Sequence, residues 1–117
     1  MYTYLVANPD DIRSKLIKDQ TSGSESGYYP AKYPGRENSM YVNNPKIIRL
    51  SDVYLMAAEA AVKTGGDAAS YINTLRKNRI TGYEDVTSVT LEDILFERRI
   101  ELFAENSMAF DYWRNKM

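Results

Sequence analysis

The chain contains no histidine and no cysteine among its 117 residues. Without histidine it lacks both the side chain that most often acts as a general base near neutral pH and the commonest metal ligand. Without cysteine it can form no disulfide, no thiolate zinc site and no thiol nucleophile. We therefore expect no bound metal ion and no cofactor.

A basic surface and long apolar runs are also lacking. Fifteen lysines and arginines against sixteen acidic residues give a net charge of −1, so nucleic acid is not an expected partner. The apolar runs are far shorter than the roughly 20 residues that span a bilayer. The first residues, MYTYLVANPDD, carry no signal-peptide pattern. The length predicts a single domain over 1–117.

Aromatic residues are dominated by tyrosine: the chain has ten tyrosines, three phenylalanines and one tryptophan. Tyrosine joins an apolar ring to a polar hydroxyl, which suits surfaces that stack on sugars or contact proteins. The alternative is that these rings simply pack, with the tryptophan anchoring the last helix to the core. The candidate ligand-binding residues are those expected in loops, Tyr28, Tyr29, Tyr33 and Tyr41, together with Trp113.

The first part of the chain, 1–46, is predicted to be loop-rich. Asn8, followed by Pro9 and two aspartates, predicts the start of a short helix that ends near 17–19. The TSGSESG stretch at 21–27 predicts a flexible polar loop. The proline-punctuated stretch after it favours extended backbone.

The second part, 47–117, has apolar residues at helical spacing. Gly65 and Gly66 should end one helix, and such a short link makes the two flanking helices an antiparallel hairpin. Thr90 and Asp93 form an approximate capping box at the start of another helix. The fold class is therefore mainly α, a helical hairpin plus a further helix, with helices near 50–64, 68–79 and 91–106.

Charged residues interrupt the apolar stripe of the third helix. Arg98 lies on this stripe together with Glu105, and Glu101 lies beside it. A buried arginine needs partners, so we expect Arg98 to be buried and paired with at least one of Glu59, Glu101 or Glu105. Paired carboxylates also occur in glycosidases, but there they face each other across a cleft. The acids Glu97, Glu101 and Glu105 share one helix side with arginines between them, which favours ion pairs over catalysis.

Three stretches of the second part form a set of motifs: IIRLSDVYLMAAEA at 47–60, YINTLRKNR at 71–79 and ILFERRIELFAENSMAFDYWR at 94–114. As a set they resemble the C-terminal signature of SusD/RagB proteins, which includes Glu-Arg-Arg-x-Glu-Leu with an acid and a glycine soon after it. The departures are Asn106, where the family usually has glycine, and Met108, near a common arginine.

The likeness extends upstream. The sequence Asp-Ile-Arg at 11–13 is similar to the Asp-Pro-Arg of the family, and Lys32 with Tyr33 is similar to its Lys-Tyr or Lys-Phe. In order and spacing the resemblance covers nearly the whole chain, but only the final portion of a family member, whose chain is several times longer.

The resemblance implies a tetratricopeptide-like helical fold without catalytic activity. Such proteins lie at the cell surface, on the outer membrane, as lids over a TonB-dependent outer-membrane transporter, and capture glycans or peptides. Most ligand-contacting aromatics of the family lie upstream of this portion, so none can be assigned here. The alternative function is a tetratricopeptide-like protein–protein interaction module that has no glycan site.

Overall fold

A computed structural model describes residues 1–22, 25–35, 39, 43–44, 47–105 and 107–116. Its helices account for most of the ordered elements, as the sequence predicts. In chain order they are α1 (Tyr2–Ala7), a 3₁₀ helix (Ile12–Leu16), β1 (Ile17–Ser22), β2 (Glu25–Pro30), α2 (Leu50–Thr64), α3 (Ala69–Lys77), α4 (Leu91–Glu101) and α5 (Met108–Asn115).

The helical hairpin α2–α3 is confirmed. α2 ends at Gly65, whose φ of 75° is the left-handed conformation that glycine adopts without a steric penalty. The Asp67 carboxylate accepts a hydrogen bond from the Ser70 amide, which supports the first turn of α3. A groove lined by Leu50 and Tyr54 on one side and by residues 74–79 on the other places the start of α2 beside the end of α3. The two helices therefore run antiparallel.

The capping box of α4 is also confirmed, but the length predicted for this helix is wrong. The Asp93 amide donates to the Thr90 hydroxyl, and the Thr90 amide donates back to Asp93. The helix ends at Glu101 rather than near 106 because Ala104 adopts a positive φ of 61°, which no α-helix accommodates. A separate helix, α5, then begins at Met108.

The predictions for the first part of the chain need correction. Asn8 does not begin a helix: it caps the C-terminus of α1, where its side-chain amide donates to the Tyr4 carbonyl. The stretch predicted as a flexible loop belongs largely to an antiparallel pair of strands, with Ile17 opposite Pro30 and Ser22 opposite Glu25. This stretch is polar and shows no strand pattern of its own. It forms strands because its two halves pair with each other, and a local sequence pattern does not predict such pairing.

One apolar core joins α2, α3 and α4. Its buried members come from all three helices and from the link between the first two: Leu55, Ala58, Ala68, Ile72, Leu75 and Ile94. The N-terminal segment lies against the same unit, because Asp11 and Ile80 form a short antiparallel bridge. The Tyr4 ring also packs edge-on against Phe96 of α4, with 5.4 Å between ring centroids. α4 is thus covered from several sides.

Candidate functional site

A column of carboxylates follows one side of α4. Glu97 and Glu101 lie one helical turn apart, and both are buried. Glu105 comes just after the helix and is nearly as well enclosed. Because i and i+4 positions share a helix face, their negative charges point to the same side. Buried charges at this spacing are unstable unless cations surround them.

Cations from four separate segments supply that balance. Glu97 accepts hydrogen bonds from Arg13 at 2.6 Å and from Arg76 at 2.7 Å. Glu101 accepts from Arg13 at 3.2 Å, and Glu105 pairs with a lysine that follows β2. The cations come from the 3₁₀ helix (Arg13), the segment after β2 (Lys32), the residue before α2 (Arg49) and the end of α3 (Arg76 and Arg79).

Glu101 is the centre of this network. Arg49 and Arg79 both donate to its carboxylate, at 3.0 and 2.9 Å. Burial alone would raise the pKa of Glu101, but the hydrogen bonds and charges of Arg79, Arg49 and Arg13 outweigh it and bring that pKa to about 2. A carboxyl held in this way is ionised at neutral pH and has no proton to give. It is not poised for general acid catalysis.

The C-terminus of α4 uses the same surrounding segments. Lys32 donates to the carbonyl oxygens of Glu101 and Phe103, at 2.8 and 3.1 Å. The Tyr33 hydroxyl donates to the Ala104 carbonyl at 2.9 Å. The last carbonyls of a helix lack partners within it and attract positive charge. Of the Lys-Tyr pair that resembles the family, Lys32 therefore caps the helix end, and Tyr33 bonds the turn that follows it.

Arg98 belongs to a second cluster, on the other side of α4. Arg98 is buried, as predicted. The prediction that it pairs with Glu59, Glu101 or Glu105 is wrong. Its guanidinium instead pairs with Asp111 of α5 and Asp52 of α2, each at 2.9 Å. Arg98 and Glu101 are three positions apart, yet their side chains turn to different neighbours.

Glu59 is linked to the second cluster through α5. Arg114 bridges Glu59 and Asp111, with both contacts at 2.7 Å. Lys63 also donates to Glu59, at 2.8 Å. The hydrogen bond from Arg114 lowers the pKa of Glu59 to about 2, and burial opposes it only in part. The second cluster holds α5 against α2 and α4.

The aromatic candidates lie at separate places. Tyr28 and Tyr29 are in β2 rather than in a loop, and Tyr28 packs on the Tyr2 ring with 4.0 Å between centroids. Trp113 is 75% exposed on α5, so it does not anchor that helix to the core. Within the described part of the chain, no ring contact joins Trp113 to these tyrosines. Tyr41 lies outside the described residues.

A cavity of about 240 Å³ opens beside the carboxylate column. Its charged lining includes Arg13, Lys32, Arg49 and Arg79 around Glu101. Each of these cations already pairs with a carboxylate. Over the residues that the structure describes, no group of three acidic side chains is arranged to hold a metal ion, and no helix is long and apolar enough to cross a membrane.

Several members of these clusters are absent from the sequence prediction. Asp52 and Asp111 could not be chosen by spacing, because 46 and 13 positions separate them from Arg98. Arg13 lies 84 positions from Glu97. The one available signal was the likeness of Asp11 and Arg13 to a family motif, and these two residues do form a buried ion pair.

Comparisons with known proteins agree on one family. A family model described as the SusD family matches residues 7–117. A crystal structure of a SusD superfamily protein from Bacteroides vulgatus is 32% identical, with a TM-score of 0.83 over 97% of this chain and 27% of that chain. A SusD-like carbohydrate binding protein from the same species is 24% identical, with a TM-score of 0.79 over 96% of this chain and 26% of that chain. No curated protein matches. This chain thus spans about a quarter of the length of both solved relatives.

Proposed function

Since this chain belongs to the SusD family, we propose that it is part of a non-catalytic protein that binds a nutrient for a TonB-dependent outer-membrane transporter. The family match over residues 7–117 carries the proposal. The ligand class is a glycan or a peptide, and the place of action is the cell surface. A glycan is the first ligand to test, because one solved relative is described as carbohydrate binding.

The chemistry of the buried clusters supports binding rather than catalysis. Glycoside hydrolysis needs one carboxyl that donates a proton and a second that faces it across the substrate. Glu97, Glu101 and Glu105 lie on the same side of the chain, and each pairs with at least one arginine or lysine. Each of the three carboxylates is thus bound to a cation and none is set opposite another across a substrate cleft.

The exposed aromatics supply binding surface of the right kind. Tyr28 and Tyr29 remain accessible on β2, and Phe110 and Trp113 form an exposed edge-to-face pair on α5, 5.8 Å apart. Sugar rings stack on such faces. Each of these surfaces could form one side of a ligand-binding site. The other contacts of such a site would have to come from residues outside these two surfaces.

A gene deletion tests the proposed function. Loss of the gene that encodes this chain should reduce uptake of one class of glycan or peptide, and breakdown of that polymer at the cell surface should continue at the wild-type rate. Complementation with the intact gene should restore uptake. If breakdown falls instead while the uptake of pre-digested oligomers stays normal, the protein is catalytic and the proposal fails.

The protein–protein interaction module stays as a second candidate, because α2 exposes three large apolar side chains, Leu50, Val53 and Met56. A pull-down with a TonB-dependent transporter, should one be encoded in the neighbouring gene, separates the two functions when it is compared with glycan-binding isotherms. Capture of the transporter without any glycan binding would favour the interaction module.

A further inference from the structure

The ion-pair network around Glu101 contains more cations than carboxylates. Within the part of the chain that the structure describes, salt bridges join five cations to four carboxylates, which leaves one positive charge in excess. The side chains of these cations are at most 24% exposed. An unmatched charge in such surroundings is costly, and a nearby anion would offset that cost. The cations are Arg13, Lys32, Arg49, Arg76 and Arg79, and the carboxylates are those of Asp11, Glu97, Glu101 and Glu105.

The cavity of about 240 Å³ beside this network offers space for such an anion. Four of the five cations line it, and Glu101 is the carboxylate among its described lining residues. A water molecule of the liquid occupies about 30 Å³, so the cavity has room for roughly eight waters or for one small molecule. Ile12 and Leu16 complete the lining and give it an apolar part.

Arg79 keeps hydrogen-bond donors for a ligand. Its Nε and Nη2 atoms donate to Glu101, at 3.1 and 2.9 Å, and its Nη1 atom donates to the Asn78 carbonyl at 3.2 Å. Because a guanidinium carries five N–H groups, two of them have no hydrogen-bond partner among the described residues. The side chains of Arg79 and Arg49 are 24% and 21% exposed, which makes them the most accessible cations of the cavity.

The pKa of Lys32 also points to an environment with too little negative charge. Burial lowers this pKa, and the neighbouring charge of Arg49 lowers it further. The hydrogen bond and the charge of Glu105 oppose these effects without outweighing them. The carboxylates of the network therefore compensate its cations only in part, and an anion in the cavity would favour the charged form of Lys32.

We propose that this cavity binds the carboxylate of a small organic acid. A carboxylate carries a single negative charge, which matches the single positive charge in excess, whereas a sulfate carries two and would leave an excess of negative charge. The planar guanidinium groups of Arg49 and Arg79 match the two oxygens of a carboxylate. Ile12 and Leu16 would contact the carbon part of the acid. The proposal goes beyond nutrient binding, because a free acid and an acidic sugar present the same group.

An NMR titration of the isotope-labelled 117-residue chain with sodium acetate tests the proposal, with chloride used to keep the ionic strength constant. The Nε–H signals of Arg49 and Arg79 and the amide signals of 12–16 should shift and reach saturation, with a Kd of roughly 1–10 mM. Shifts that do not saturate by about 100 mM acetate, or that saturate only far from the cavity, would overturn the proposal. Sulfate that saturates the same signals at the same concentrations would also overturn it, because the site would then not select a carboxylate.

A pair of substitutions at Ile12 supplies or withholds a carboxylate within the site. Ile12 lines the cavity and is 48% exposed, so a polar side chain can be accommodated there. Ile12→Glu carries its own carboxylate to the cavity, whereas Ile12→Gln has nearly the same shape without the charge. The Kd for acetate should be at least about tenfold higher for I12E than for I12Q, because a tethered carboxylate competes at a high effective concentration. Equal Kd values for the two variants would contradict the proposal.

Lys77→Ala is the matched control for net charge. It removes one positive charge, which is the same change in net charge as in Ile12→Glu, but Lys77 is 54% exposed and pairs with Asp85 outside the cavity. Because solvent screens such a charge, the K77A chain should bind acetate within about twofold of the unaltered chain. If Lys77→Ala and Ile12→Glu weaken acetate binding by the same factor, the effect is one of net charge alone and the proposed site is wrong.

Galacturonate and galactose identify the source of the carboxylate, because the two sugars differ only at the carbon that carries it. Galacturonate that binds at least as tightly as acetate would assign the site to an acidic sugar, and galacturonate that binds more weakly would assign it to a small free acid. Galactose should produce no saturable shifts at the cavity. Galactose that saturates the same signals as galacturonate would show that hydroxyl groups are recognised instead of a carboxylate, and would overturn the proposal.

Discussion

Each buried carboxylate of α4 has a partner from a distant part of the chain. Removing a carboxylate from water costs several kcal/mol, and only close, well-directed cations offset that cost. Arg13 shows how this is met: it bonds Asp11 beside it and reaches Glu97 and Glu101 across the fold. An arginine can do this because its planar guanidinium carries five donors.

Arg98 gives a direct test of the second cluster. Among the residues that the structure describes, an Arg98→Ala change leaves Arg114 as the cation paired with Asp111 and removes the buried cation paired with Asp52. We expect a loss of about 3–5 kcal/mol in the free energy of unfolding, since an uncompensated charge remains inside. Urea denaturation measures it.

The matched control for this change is Lys77→Ala, which removes an exposed ion pair with Asp85. It should cost less than about 0.5 kcal/mol, because water screens such pairs. If Arg98→Ala costs as little as the control, Arg98 behaves as an ordinary surface charge.

Stability should fall in acid. Glu59 and Glu101 have pKa values of about 2 in the folded chain, below the ordinary value of 4.5. A carboxyl whose pKa is lower in the folded state stabilises the fold above its unfolded pKa, and this stabilisation disappears as pH falls toward the folded pKa. The free energy of unfolding should therefore drop between pH 4.5 and about 2, by on the order of 3 kcal/mol from Glu101 alone.

Denaturant titrations at several pH values within that window would show the drop. A Glu59→Gln variant removes one of the two carboxyls and should make the dependence on pH shallower. A free energy of unfolding that stays constant from pH 5 to pH 2.5 would contradict the assigned pKa shifts.

At the scale of elements, the sequence correctly predicted those helix ends that are set by capping residues close by in the chain. The bounds of α2 agree with the prediction because Gly65 provides a local stop signal, and the start of α4 agrees because the Thr90 box is local too. The end of α4 was missed, since the bonds that replace its last turn come from Lys32 and Tyr33, about 70 positions away. The β1–β2 pair was missed because a polar stretch carries no alternation.

The link between α2 and α3 permits a matched pair of substitutions. Gly65→Ala places a side chain on a residue with φ of 75°, although nothing lies within 4 Å of the added carbon. The cost is therefore backbone strain alone, about 1 kcal/mol. Gly66→Ala would put its carbon at 3.5 Å from Ala61, an ordinary contact without positive φ, and should change stability by less than about 0.5 kcal/mol.

Thermal or urea denaturation of both glycine variants provides the measurement. Equal losses for the two variants would mean that packing, and not the left-handed turn, decides how α2 ends.

The candidate site was predictable in kind but not in its pairings. Charges inside the apolar stripe of α4 indicated a buried network, and one is present. Which residues complete it depends on how α2, α3 and the N-terminal segment meet around α4. The contact of Arg79 with Glu101, for example, joins a residue just after α3 to one on α4, 22 positions further along the chain. No spacing rule within one element encodes such a contact.

At the scale of the molecule, α4 acts as the hub. Its carboxylates tie down the N-terminal segment, the residue before α2 and the end of α3, and its Arg98 holds α5. Glu105, just after the helix, pairs with the segment after β2. These ion pairs leave few charged groups of the clusters free for a ligand. The exposed Tyr28 and Tyr29 lie on β2, and the exposed Trp113 lies on α5. The chain therefore consists of segments held around α4 by buried ion pairs, with aromatic side chains exposed on β2 and α5.

The affinity of the isolated 117-residue chain for glycans can be predicted from this arrangement. A glycan site needs several convergent groups, because each hydrogen bond contributes only about 1 kcal/mol after exchange with water. Tyr28 and Tyr29 offer one wall on β2, and the Tyr33 hydroxyl is already bonded to a carbonyl. We therefore expect the 117-residue chain to bind glycans no more tightly than roughly millimolar, about −4 kcal/mol. Calorimetry against plant, host and starch oligosaccharides checks this.

The complete protein from which such a site would be assembled should bind one member of the same panel more tightly. Tyr29→Ala and Tyr71→Ala serve as a matched pair, because the two rings are similarly exposed. Tyr29 lies on β2 with the candidate residue Tyr28, whereas Tyr71 lies on α3. Micromolar binding by the isolated chain that Tyr29→Ala abolishes and Tyr71→Ala leaves intact would contradict the expectation. In that case the glycan site lies on β2, and the aromatic wall is sufficient by itself.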